Sequence, residues 1–128
     1  MTEPARRRAQ DLTVRVPVGT VLLTGDLAIP EGAGAVILFA HGSGSSRHSS
    51  RNRHVARVLN AAGLATVLID LLTMDEEEID LRTAHLRFDI ELLAQRLIGA
   101  TEYLGNDAHT RYLPIGYFGA STGTAAAR

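Results

Sequence analysis

Apolar and polar positions change period several times along this chain, and each change marks an element. Val14, Val16 and Val18 alternate with Thr13, Arg15 and Pro17, the period-2 pattern of a half-buried strand. Gly19-Thr20 then turns the chain into a second run, Val21 to Ile29, closed by Pro30 and the turn Glu31-Gly32-Ala33-Gly34; two strands so joined make an antiparallel hairpin. Ala35-Val36-Ile37-Leu38-Phe39-Ala40 is apolar without alternation, as a strand covered on both faces must be. Ala65 to Leu72 is a second run of that kind and Ile115 to Phe118 a shorter third. Helical spacing fills the gaps. Val55, Val58, Leu59 and Ala62 share one face, and Gly63 occupies the position of a left-handed C-terminal cap. Leu86, Ile90, Leu93, Leu97 and Leu104 follow at spacings of three, four and seven, with Arg82, Arg87, Glu91 and Glu102 on other faces.

The chain therefore reads as a hairpin followed by strand–helix–strand–helix–strand–helix. That order predicts an α/β fold: an antiparallel β-hairpin leading into a mostly parallel sheet with helices on both faces. Ligands in such folds bind beyond the carboxyl ends of the strands. One domain over residues 12–128 is expected, preceded by a disordered N-terminal tail, residues 1–11, that carries Arg6, Arg7 and Arg8. The acidic run Asp75-Glu76-Glu77-Glu78 precedes the second helical stretch, where negative charge suits a helix N-terminus. It reads as a solvated loop, since it lacks the alternating ligands and the glycine of a calcium loop.

Composition narrows the chemistry. The chain has 128 residues, a net charge of −1, 45% hydrophobic and 21% charged residues, which excludes disordered and collagen-like classes. All thirteen basic residues are arginine, balanced by fourteen acids, so nucleic acid is not an expected partner. With no cysteine there is neither a disulfide framework nor a thiolate metal site. No apolar run reaches the ~18 residues of a membrane span, and no apolar stretch follows the arginines as a secretory signal requires. A cytoplasmic protein without membrane contact, metal or cofactor is the expectation.

Two loops at carboxyl ends of predicted strands carry candidate chemistry. Gly119-Ala-Ser-Thr-Gly123 fits G-x-S-x-G, after a strand and before helix-forming Thr124-Ala-Ala-Ala. Such a turn lifts a serine, here Ser121, out of the chain as a nucleophile. Gly119 and Gly123 let strand and helix approach, and the amide of Thr122 points at the charge that develops on an attacked carbonyl. His41-Gly42-Ser43-Gly44-Ser45-Ser46 follows the first buried strand. In a hydrolase with its elbow at Ser121 this loop supplies the second oxyanion amide, with His41 as a structural residue that fixes it. Other readings of the same residues stay open. Gly42-x-Gly44 with Asp70 sketches a dinucleotide site, but Arg47 stands at the third glycine position. The Gly/Ser loop could cradle a phosphorylated ligand. His41, Asp70 and Ser121 occur in the order of chymotrypsin-like proteases, an order that belongs to an all-β double barrel. A non-catalytic module that pairs through an exposed edge strand, with a partner or a second copy, is a further alternative.

The segments FAHGSGSSRHSSRNRHVARVLNAAGLATVLIDLLT, HLRFDIELLAQRL and GYFGASTG together resemble the dienelactone-hydrolase-like branch of the α/β-hydrolases, from about Leu12 to Ala127. The resemblance implies a serine hydrolase of carboxylic ester or similar small acyl substrates, with Ser121 as nucleophile. It implies an oxyanion hole from the amides of Thr122 and of the Gly42–Ser43 turn, and His41 as the structural histidine of the HG motif. Dienelactone hydrolases carry cysteine where this chain has Ser121, so lactone chemistry in particular is not implied. In this fold the triad runs Ser…Asp/Glu…His along the chain. Residues 122–128 contain no Asp, Glu or His. The expectation is the N-terminal part of a larger hydrolase, its later strands missing and Ile115–Phe118 left as an apolar edge. Alone, it would have little or no activity.

Overall fold

The strands form where the alternation places them. In a computed structural model, which describes residues 10–40, 49–73, 75, 76, 78 and 90–119, Val14 and Val16 are buried while Thr13, Arg15 and Pro17 are exposed. This strand, β1 (Gln10–Val18), pairs antiparallel with β2 (Val21–Ile29), from Gln10 opposite Ile29 to Val18 opposite Val21. β1 thus begins two residues inside the tail expected from sequence; the ladder to Ala28 and Ile29 orders Gln10 and Asp11, although neither is apolar.

β3 (Val36–Ala40) and β4 (Ala65–Ile69) pair in parallel, and all five residues of β4 are buried. β5 (Ile115–Gly119) pairs in parallel with the other side of β3. β4 lies between β2 and β3, antiparallel to β2, so the sheet runs β1-β2-β4-β3-β5. The sheet led by a hairpin and covered by helices is as the periodicity predicts, but it is mixed rather than mostly parallel. β4-β3-β5 run parallel, and β2 joins β4 antiparallel because the hairpin docks against β4 and not β3. Among the described residues β5 lies at one edge.

Among the described residues, one long helix packs on each face. α1 (Ser50–Ala61) is capped by Ser49, whose hydroxyl accepts the Asn52 amide at 3.4 Å. Its inner face is Asn52, Val55, Ala56 and Leu59, the apolar members of which pack with Ile37, Phe39 and Leu68. Val58, grouped with this face from sequence, is 55% exposed; Ala56 takes the place nearest the sheet because a small side chain allows close approach. Arg53 reaches Asp26 of β2 at 3.0 Å, and the Asn60 amide donates to Leu64 O and Thr66 Oγ1, fixing both ends of α1 to the sheet. Gly63 follows with φ +88°, the left-handed geometry its position predicts.

α2 (Ile90–Asn106) buries Leu93, Leu97, Ala100 and Leu104 against Val14, Val16, Leu23 and Leu27 on the opposite face. Leu86 of the predicted stripe lies outside the described residues. Gly99 lets α2 approach β1: a Cβ there would stand 2.6 Å from Val18 Cγ2.

The acidic run differs from its reading as a solvated loop. Asp75, Glu76 and Glu78 are helical. Glu76 accepts the Thr73 amide at 2.9 Å and gives its own amide to Thr73 Oγ1 at 3.2 Å, a reciprocal capping box. Arg96, 7% exposed on α2, grips the same carboxylate with two guanidinium nitrogens, at 2.7 and 2.8 Å, and donates to Leu71 O at 3.0 Å. The Arg96 hydrogen bonds, with the Thr73 amide adding to them against the cost of burial, hold the Glu76 carboxyl at about 2 instead of 4.5.

Gly99→Ala should destabilise the fold by about 1–3 kcal/mol through overpacking against Val18. Val18→Ala in the same chain should recover part of that loss in urea melts. Gly105→Ala, on α2 with open space around it, should leave stability unchanged or raise it by up to ~1 kcal/mol. Because the folded-state pKa of Glu76 is depressed, its contribution is complete above pH 4.5 and is lost as pH falls toward about 2. Melts across that window should show a steeper loss for the wild type than for Glu76→Gln, and Arg96→Met should cost about 3 kcal/mol at neutral pH by leaving a buried pair broken.

Candidate active site

Parallel pairing with a common register brings three chain exits to one edge of the sheet. Ala40, the last residue of β3, is opposite Ile69 on one side and Gly119 on the other. Neighbouring strands lie about 4.8 Å apart, so the strand ends Ala40, Ile69 and Gly119 lie side by side. This is the carboxyl edge of the strands, where α/β folds bind ligands. The two motif-bearing loops are nearly eighty residues apart in sequence, and β3–β5 pairing is what starts them next to each other.

Of the residues expected to form the site, Gly119 is described: it is the half-buried last residue of β5. His41, Gly42, Ser43, Ser121, Thr122 and Gly123 lie outside the described residues. Asp70, weighed as an acid in two alternative readings, directly follows β4 at this same edge, its amide donating to Thr24 O at 3.0 Å. The single mixed sheet with a helix on each face is not the double barrel that the order His41, Asp70, Ser121 would accompany in a chymotrypsin-like protease.

Sequence reading missed the group that fixes the third exit. Arg96 binds the Leu71 carbonyl and the Glu76 carboxylate, and Glu76 caps Thr73. The segment leaving β4 is thereby fastened to α2. Thr73-Met74-Asp75-Glu76 is a capping-box pattern that sequence could have revealed. Arg96 carried no such signal, because its partners are 20 and 25 residues away.

A separate cleft of about 410 Å³ lies on the α1 face, lined among others by Asp11, Thr13, Asp26, Arg53, Arg57 and Asn60. None of its lining residues belongs to β3 or β5. Both amide hydrogens of Asn60 are committed within the fold, and Arg53 is paired with Asp26. Among the described residues, no group of three His, Cys, Asp or Glu could hold a metal ion. No described helix is long and apolar enough to cross a membrane.

No family model matches the chain. Two Mycobacterium tuberculosis proteins, each named "Putative phosphoribosyl transferase", are 54% identical over 118 residues, which is 92% of this chain and 26% of theirs. Among solved structures, a dienelactone hydrolase from Anabaena variabilis is 64% identical and superposes with a TM-score of 0.90, over 94% of this chain and 56% of that one. A cold-adapted esterase from an Arctic intertidal metagenomic library (17% identity, TM-score 0.71, 99% and 58% covered) and a Pyrococcus furiosus esterase (18%, 0.70, 93% and 45%) share the fold. The chain thus spans about half the dienelactone hydrolase and about a quarter of the mycobacterial proteins. With a hairpin, a helix on each face and the strand order above, its structure matches the N-terminal part of a dienelactone hydrolase's α/β fold.

Proposed function

We propose that this chain carries the nucleophile half of a serine hydrolase acting on carboxylic ester or similar acyl substrates. The observation that carries the reading is the shared register of β3 and β5, Ala40 opposite Gly119. It starts the Gly/Ser loop and the G-x-S-x-G elbow from adjacent strand ends, as an oxyanion hole built from two separate segments requires. Similarity to a dienelactone hydrolase over nearly the whole chain supports the same class.

In this mechanism Ser121 attacks the ester carbonyl and loses its proton to a base. The amides of Thr122 and of the Gly42–Ser43 turn stabilise the oxyanion, and His41 holds that turn. The alkoxide leaves as alcohol, and water resolves the acyl-enzyme. Dienelactone hydrolases carry cysteine where this chain has Ser121, so lactone chemistry in particular is not part of the proposal. Residues 122–128 contain no Asp, Glu or His, so the chain holds no base or acid partner after Ser121 in the order this mechanism uses. Without a base, a serine site retains ~10³-fold acceleration over water from the oxyanion hole and binding.

The name of the mycobacterial relatives invites a phosphate-binding alternative for the Gly/Ser loop. The matched segment is about a quarter of those proteins, however, while the similar hydrolase is covered over about half its length. The hydrolase reading accounts for both the strand register and the elbow motif. The phosphate reading uses the loop alone.

The test is turnover of a p-nitrophenyl ester with Ser121→Ala as reference. In a longer polypeptide that contains this chain with an acid and a base, Ser121→Ala should lower kcat by ~10⁴-fold or more. The 128-residue chain alone should show no turnover above its own Ser121→Ala variant. Full activity in the longer protein after Ser121→Ala would overturn the assignment. So would thermal stabilisation of the chain by sugar phosphates with none by ester analogues.

A further inference from the structure

The cleft on the α1 face has a volume of about 410 Å³, within the ~300–1,000 Å³ of small-ligand sites. Its walls form two rungs, one closed and one open. α1 joins the parallel strands β3 and β4 and so runs back against β4; β2 is antiparallel to β4 as well, so α1 and β2 share a direction. One helical turn of four residues advances ~6 Å, about as far as two residues of a strand. The first rung is closed, with Arg53 paired to Asp26 at 3.0 Å. Arg57, one turn on, stands level with Ala28, which has nothing to offer a guanidinium. The Asn60 bond to Thr66 fixes this level, because Thr66 is the ladder partner of Ala28. On the other side of Ala28 the partner is Asp11 of β1. Arg57 and Asp11 both line the cleft and are exposed. Among the described residues neither has a hydrogen-bonding or ion-pair partner.

We propose that the open rung binds a small zwitterion, an α-amino acid with a short aliphatic side chain. Arg57 takes the carboxylate, for which a guanidinium offers two parallel donors, and Asp11 takes the ammonium. The aliphatic side chain lies over Ala28, toward the buried Ala56 and Leu68. Charge complementarity selects this class. A simple anion at Arg57 would face the carboxylates of Asp11 and Asp26, and a simple cation at Asp11 would face Arg53 and Arg57. A ligand with both charges answers Arg57 and Asp11 together and leaves the cleft, whose two acids and two arginines cancel, without net charge. The cleft opens on the hairpin side of α1, with β4 and β3 between it and β5, so a strand laid against the outer side of β5 leaves it open. It is also distinct from the candidate active site, because Thr66 is level with Ile37, whereas that site starts where Ile69 faces Ala40.

Calorimetric titration of the polypeptide that carries this chain with L-valine and L-leucine should give a Kd below ~1 mM. Isobutylamine, which lacks the carboxylate, and isovalerate, which lacks the ammonium, should each bind about tenfold more weakly or worse. Arg57→Met and Asp11→Asn should each weaken L-valine by about tenfold or more; both positions are exposed, so neither change touches the core. Ala28→Asp should abolish binding while keeping or raising the melting temperature, because it closes the second rung as Asp26 closes the first. Ser121→Ala should leave the affinity unchanged. No heat from a folded protein with either amino acid at ~10 mM, tenfold above that Kd, overturns the proposal. Binding that survives both Arg57→Met and Asp11→Asn, or that the amine or the acid alone matches, overturns it as well. So does loss of binding in Ser121→Ala, which would move the ligand to the elbow. The hydrolase reading is judged separately, by ester turnover, since the cleft uses no residue of the proposed catalytic chemistry.

Discussion

The fold depends on the burial of one short strand. Ala65–Ile69 has neighbours on both edges, antiparallel β2 and parallel β3, and is buried at every position. A strand in that place must be apolar on both faces, so each face needs its own helix. α1 supplies Ala56 and Leu59 on one side, and α2 supplies Leu97 and Leu104 on the other. The hairpin contributes the antiparallel neighbour, and β3 carries the pairing on to β5. Removing the helix from either face would expose Leu68 or Val67 to water, at roughly 1.5–3 kcal/mol for each large side chain.

Two electrostatic anchors sit where packing alone would leave freedom. Arg53–Asp26 joins the start of α1 to β2. Arg96–Glu76 joins α2 to the segment that leaves β4, and there the guanidinium also satisfies the Leu71 carbonyl. A planar fork that meets two carboxylate oxygens and a carbonyl at once defines direction as well as distance. Lysine, a single point charge, could not reproduce that geometry, which gives the all-arginine composition a structural use at this position.

Much of the fold is legible locally because its signals are local. Alternation along β1, the unbroken apolar runs of β3 and β4, and Gly63 after α1 each express a property of a few adjacent residues. The insertion of β4 between β2 and β3 is not local, and neither is the meeting of Arg96 with Glu76. The misreading of Val58 has a similar origin: helical spacing defines a stripe, but the neighbour that comes closest decides its centre, and Ala56 permits that closeness. At the candidate site, residue types were legible at Gly42, Ser43 and Ser121 as a motif. The adjacency of their strands is a property of sheet order, which no single segment encodes.

Sheet order also sets a sequence of events in time. β1 and β2 are joined by a two-residue turn, so their pairing closes a small loop. Among the described residues β5 joins the sheet through β3, with Val36 opposite Ile115, and in an unstructured chain a closure of that span costs about 4 kcal/mol in entropy. The edge strand therefore docks after the helices and β4 have shortened the distance, and it is the strand held by the smallest set of neighbours once docked. Amide exchange should follow the same gradient, slowest in β4 and fastest in β5. The G-x-S-x-G motif thus begins at Gly119, the end of the strand that, among the described residues, docks last and is held chiefly by its pairing with β3.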